Sequence, residues 1–128
     1  SELYMKIITS MRAGNFDVAG KCFDPEFVVH EDLGMPYGGV LKGADAFFKL
    51  RRKVYDTWGE GCLKLLFVCG DKVDHATANF RIVGRPGGAT EEVESYVTVV
   101  WTFRNDLAVE ARVFYYDTPR LSKAIAGH

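Results

Sequence analysis

The sequence predicts an α+β fold: a cone-shaped roll in which a strongly curved antiparallel sheet wraps over N-terminal helices. Three observations carry this. Helical periodicity dominates the chain up to Trp58, broken by one short apolar strand and a Gly/Pro/Tyr loop. From Cys62 onward the pattern changes to four long runs rich in β-formers. Short turn sequences separate those runs, as successive hairpins require. Helices gathered on one side of such a sheet define an α+β architecture, and the open mouth of the cone is the natural ligand site.

Each element follows from local sequence. Leu3, Ile7, Ile8 and Met11 make one apolar stripe over a helix from Glu2 to Ala13, and Gly14 stops it. Asn15 caps a second helix running to Phe23, with Val18, Ala19, Cys22 and Phe23 buried, and Pro25 ends it. Phe27, Val28 and Val29 form a strand that closes at His30 or Glu31, followed by a loop through Gly43. Phe47, Leu50, Val54 and Trp58 line one face of a helix from Ala44 to Trp58, ended by Gly59 and Gly61. Strands follow at Leu63 to Cys69, Val73 to Arg85, Glu92 to Arg104 and Leu107 to Tyr116, with a tight turn at Gly70-Asp71-Lys72. Thr118 as N-cap and Pro119 as first helical residue start a short helix toward Ala126. No repeat or linker divides residues 1–128, so one domain is expected.

Bulk properties narrow the function classes. The chain has 128 residues, 48% hydrophobic and 26% charged, with a net charge of −1. That balance gives no electrostatic case for nucleic acid or a membrane surface as partner. The basic run Lys49, Arg51, Arg52 and Lys53 reads as a solvated helix face. Cys22, Cys62 and Cys69 are odd in number and never C-x-x-C, and no leader or spanning segment accompanies them, so reduced thiols and a cytoplasmic location are expected. His75 and His128 lie far from His30, and neither H-x-H nor H-E-x-x-H spacing exists, so no metal is expected. The glycines match no phosphate-binding motif.

Phe23-Asp-Pro-Glu-Phe-Val-Val-His-Glu-Asp32, then Pro36-Tyr-Gly-Gly39 and Lys42-Gly43, resemble the nuclear transport factor 2-like superfamily. More narrowly the chain resembles the SnoaL-like proteins, polyketide cyclases related to ketosteroid isomerase and limonene epoxide hydrolase. Val113-Phe-Tyr-Tyr-Asp-Thr-Pro-Arg-Leu121 is similar to their closing strand. The resemblance implies that Glu31 occupies the position of the isomerases' proton-shuttling Asp, pointing into the cone above Val29 and Phe27. The isomerases' oxyanion Tyr falls at Ile7, with Tyr4 one turn earlier, and their second Asp falls near Thr98, Val99 and Val100. The hydrolases' Asp-Arg-Asp set falls on Phe80, Ala78 and Phe114, and the cyclases' acid also falls on Phe114. None of the three sets is complete.

Glu31 is therefore read either as a desolvated general base or as a strand-end carboxylate paired with Lys42. His30 alternates to the opposite face and reads as a bystander. Tyr37 lies in a loop able to close over the mouth, donating to a substrate or packing on Trp58. The resemblance points Arg112, Phe114 and Tyr116 into the cone as donors and wall, whereas a plain reading has Arg112 snorkelling out beside Glu110 or Glu94. Tyr4, Val29, Trp58, Phe80, Tyr96 and Thr98 complete the expected lining. If Tyr96 and Thr98 line the cone, Val97, Val99, Trp101 and Phe103 form an apolar outer face, and a homodimer through it is expected.

The expected protein is a small isomerase or cyclase without cofactor, acting by proton transfer on a hydrophobic oxygenated molecule. A non-catalytic binding or interaction module of the same fold is the alternative. An epoxide hydrolase is a third reading.

Overall fold

The computed structural model describes residues 2–70 and 74–127. Its helices are α1 (Glu2–Arg12), α2 (Phe16–Gly20), α3 (Ala44–Trp58) and α4 (Thr118–Ile125). Its strands are β1 (Phe23–Glu31), β2 (Gly39–Lys42), β3 (Leu63–Cys69), β4 (His75–Gly84), β5 (Val93–Arg104) and β6 (Leu107–Tyr115). They form one sheet in the order β2-β1-β6-β5-β4-β3. The architecture is the expected α+β roll. The sheet is mixed, because β1 runs parallel to β6 while every other pairing is antiparallel.

Local chemistry explains most boundaries. Asn15 accepts from the Val18 N–H at the start of α2. Asn105 and Asp106, both at positive φ, make the tight turn between β5 and β6. The Gly59 N–H closes α3 on the Tyr55 carbonyl. Asp71 and Lys72 of the expected turn, and Val73 at the expected start of the next strand, lie outside the described residues.

Four boundaries differ from expectation. The second helix stops at Gly20, and Phe23 enters β1 because its ring packs 4.7 Å from Phe27 in the core. Pro25 is tolerated inside β1 because it sits where the register with β6 shifts, between Phe23 and Val28. Gly39 to Lys42, expected as loop, add an edge strand against β1, Val28 to Glu31 opposite Lys42 to Gly39. Asp117, at φ 59 and ψ 58, takes the cap position of α4, freeing Thr118 to donate to Asp32 at 2.7 Å.

The larger correction concerns which faces of β5 and β6 meet the core. Ser95, Val97, Trp101 and Phe103 are buried on the concave side, and Ala111, Val113 and Tyr115 follow them on β6. Tyr96, Phe114 and Tyr116 are exposed, and Arg112 pairs with Glu110 at 2.8 Å on the convex side. The reason is aromatic burial: the Trp101 ring lies 5.1 Å from Phe47, 5.7 Å from Tyr4 and 6.0 Å from Phe27. Rings of that size dominate core energetics, and leaving Trp101 and Phe103 wet would forfeit the largest apolar burial on the strand. Val97, Trp101 and Phe103 therefore cannot form an outer dimer face.

Trp101→Ala is expected to lower the unfolding free energy in urea by about 3 to 5 kcal/mol. Tyr96→Ala, one face over, is expected to change it by less than about 0.5 kcal/mol. Equal losses would contradict the face assignment.

Candidate functional site

The alternation of β1 continues to its last residue, so Phe23, Phe27, Val29 and Glu31 all face inward. Three apolar neighbours therefore carry a carboxylate to the end of the strand and into the cone. Glu31 is only 5% exposed and lines a cavity of ≈ 100 Å³ between the concave sheet and helices α1 and α3. Tyr4, Ile8 and Met11 of α1 form one wall, and Phe47, Leu50 and Val54 of α3 form another. Phe80, Val97, Val99, Trp101, Val113 and Tyr115 supply the sheet side. Glu31 is the only acid among the described residues on this wall.

Hydrogen bonds fix the carboxylate. The Asp32 N–H donates to Oε1 at 2.8 Å, and the Tyr115 hydroxyl donates to Oε2 at 3.4 Å. The Tyr115 oxygen lies 3.0 Å from the Tyr37 hydroxyl, and Trp58 Nε1 donates to that hydroxyl at 3.2 Å. With Glu31 ionised the directions follow from chemistry: Trp58 to Tyr37 to Tyr115 to Glu31, each proton donated toward the charge. Burial pushes the Glu31 carboxyl up to about 7, against the opposing pull of the Asp32 and Tyr115 hydrogen bonds. Burial likewise raises the Tyr37 hydroxyl to about 12, and the Tyr4 and Tyr115 hydroxyls are pushed up for the same reason. All three stay neutral donors at physiological pH.

The loop from Asp32 to Gly38 is pinned rather than hinged. Asp32 accepts from the Gly34 N–H at 2.8 Å and from the Thr118 hydroxyl, while its carbonyl accepts from the Met35 N–H at 3.0 Å. A Cβ on Gly38 would collide with the Asp32 carbonyl, so only glycine closes the loop this tightly. Tyr37 is consequently buried beneath the site, bonded to Trp58 and Tyr115, and is not a lid over the mouth.

The structure brings Glu31, Tyr4 and Phe80 to the cavity, with Trp58 and Tyr37 behind Glu31 and Val29 buried below it. Tyr96, Thr98, Arg112, Phe114 and Tyr116 are not brought in. Thr98 donates to Asn79 at 2.9 Å on the convex side, and the other four lie exposed there. His30, also outward, lies 3.3 Å from Glu110. Tyr115 is the residue that strand alternation could have found: the parity that sends Trp101 inward also sends its partner Ala111 inward, and Tyr115 lies four residues further along β6. Arg51, expected on a solvated helix face, lines the cavity, as do Arg12 and Tyr55. No group of three potential metal ligands exists among the described residues, and no described helix is long and apolar enough to cross a membrane.

No protein-family model matches this chain, and no curated protein matches it. Solved structures do match. A nuclear transport factor 2-like protein from Burkholderia thailandensis superposes with a TM-score of 0.80 at 19% identity, covering 97% of this chain and 95% of that one. A protein from Jannaschia sp. CCS1 described as a SnoaL-like polyketide cyclase gives 0.76 at 14%, covering 99% and 91%. TerC co-crystallised with polyporic acid gives 0.74 at 15%, covering 98% and 97%. The chain has the nuclear transport factor 2-like fold, shared with SnoaL-like proteins. At these identities the likeness fixes the architecture and leaves the chemistry to the residues of the site.

The buried carboxyl makes stability depend on pH. Below about pH 4.5 Glu31 is protonated in both folded and unfolded chains. Between about 4.5 and about 7 the unfolded chain ionises first, so folding stability falls as pH rises, by about 3 kcal/mol in total, then levels off. Urea titrations across that range are expected to show the decline in the wild type and a much flatter profile in Glu31→Gln. Parallel profiles would mean that Glu31 is solvated.

Proposed function

We propose that this protein is an isomerase or cyclase-type enzyme, needing no cofactor, that moves a proton next to a carbonyl in a small hydrophobic substrate. One observation carries the reading: a single carboxyl lies buried on the wall of a largely apolar cavity, where desolvation pushes its pKa up to about 7. A base poised near 7 is strong enough to accept a proton and weak enough to return it. Glu31 takes the proton from carbon, the C–H electron pair passes to the carbonyl oxygen as an enolate, and the proton returns to a different carbon. The Tyr4 hydroxyl, buried on the cavity wall and neutral, supplies a hydrogen bond for the enolate oxygen. TerC's co-crystal with polyporic acid, on the same fold, supports an oxygenated hydrophobic ligand.

The size of the cavity favours a second reading, a ligand-binding module. At ≈ 100 Å³ it is smaller than the roughly 150 Å³ cavity that holds benzene. A steroid or fused polyketide would enclose only one edge and lie largely in the mouth.

On a panel of β,γ-unsaturated ketones, kcat/KM is expected to rise with pH through a midpoint near 7. Glu31→Gln is expected to lower turnover about 10² to 10⁴-fold. Tyr115→Phe removes a hydrogen bond that favours the charged carboxylate, so the midpoint should move upward. Ligand binding without turnover at any pH would support the module instead.

A further inference from the structure

Two arginines stand on the wall of the cavity that holds Glu31. Arg12 follows Met11 at the end of α1, and Arg51 follows Leu50 in the middle of α3. Arg12 is exposed and Arg51 half-buried, while Glu31, Met11, Leu50 and Trp101 are buried, so the two guanidinium groups belong to the solvent side of the pocket. Arg12 is close enough to the Tyr4 hydroxyl to oppose the effect of burial on it. The Arg51 guanidinium lies 4.9 Å above the Tyr55 ring, which holds it against the wall.

Neither has a carboxylate partner among the described residues. Four other arginines are ion-paired, while Arg85 donates to the Thr90 carbonyl. Arg52 pairs with Asp56 and Glu60, Arg81 with Glu94, Arg112 with Glu110 and Arg120 with Asp117. Asp56 in the last turn of α3 and Glu60 just beyond it are thus taken by Arg52, and the cavity arginines keep their forks available.

We infer that the site takes a small amphipathic carboxylic acid, its apolar end in the cone beside Glu31 and its carboxylate held by Arg12 and Arg51 at the mouth. This deepens the proposed function and rests on the same cavity. Three features support it. A guanidinium fork matches a carboxylate in two parallel hydrogen bonds, which a Lys or hydroxyl rim does not offer. A monoanion also places less negative charge beside Glu31 than a phosphate dianion would. Finally, ≈ 100 Å³ suits a branched chain or part of a single ring, so an oxo or unsaturated acid of modest size satisfies both ends. Anchoring the remote carboxylate also orients the reacting carbon at Glu31.

The test is calorimetric binding at neutral pH and low salt, with 4-methyl-2-oxopentanoate, 2-oxo-4-phenylbutanoate and 3-phenylpropanoate, each beside its methyl ester. At least one acid is expected to bind about tenfold or more tighter than its ester. Arg12→Gln and Arg51→Gln should each remove most of that preference with at most a small change in thermal unfolding, since Arg12 is exposed and Arg51 loses only its contact with the Tyr55 ring. Arg104→Gln, whose residue does not line the cavity, should retain it. Acids and esters binding alike, no acid binding at all, or arginine variants that keep the preference would each overturn the inference. Glu31→Gln separates this from the proton-transfer reading. Retained acid preference with unchanged turnover sinks the catalytic role of Glu31 and leaves the carboxylate anchor standing.

Discussion

The burial of Glu31 is the constraint to which the rest of the site answers. An ionised carboxylate in an apolar cavity is costly unless its oxygens are bonded, and here each oxygen accepts one hydrogen bond. One donor is local, the Asp32 amide. The other, Tyr115, comes from the far end of the chain and is itself backed by Tyr37 and Trp58. The parallel pairing of β1 with β6 is what makes that reach possible. It sets Val29 opposite Ala111 and His30 opposite Arg112, so the inward residues of the two strands converge on one side of the sheet.

The loop after Glu31 serves the same end. Asp32 ties Gly34, Met35 and Thr118 to one point, joining the start of α4 to the end of β1. Gly38 lets the chain pass close to the Asp32 carbonyl, and β2 then returns along β1. Tyr37 is thereby held between Trp58 of α3 and Tyr115 of β6. A loop that reads as a mobile cover in sequence is a tightly bonded floor in structure. Its composition of Gly, Pro and Tyr suits either role, and only the long-range partners decide between them.

Helices and long strands were legible because their signals are local: the apolar stripes of α1 and α3, the glycine stops and the Asn-Asp turn. The two-residue period from Phe27 and Val29 agrees with the inward Glu31 that the resemblance implies, although the same residues also allow a strand-end carboxylate paired with Lys42. The faces of β5 and β6 were not legible. Both faces of β5 mix ring and β-branched side chains, Tyr96 and Val100 against Val97 and Trp101, so alternation alone does not name the inner one. The decision comes from Phe47, Tyr4 and Phe27, which receive Trp101 from elements far away in sequence. On β6 the set that the resemblance implies as inward, Arg112, Phe114 and Tyr116, is the outer one, and the register ties β5 to the same parity, because a one-residue slip sends every side chain to the other face.

That parity also changes how the missing catalytic acids are understood. Phe114 stands where an acid would be expected on β6, but Phe114 faces solvent and the inward positions beside it are Val113 and Tyr115. A phenol with a raised pKa therefore occupies the place near Glu31 where a second carboxyl could have stood. Two carboxyls that close would hold their pKa values apart and divide the roles of acid and base. A tyrosine cannot take that part at neutral pH, because it neither ionises nor readily gives up its proton. In the proposed reaction all proton transfer would therefore fall to Glu31, which would accept and return the same proton. Isomerisation and enolate-driven ring closure need only that. Hydrolysis needs a water activated on one side and a leaving oxygen protonated on the other, and a small apolar cavity with one ionisable acid suits it poorly.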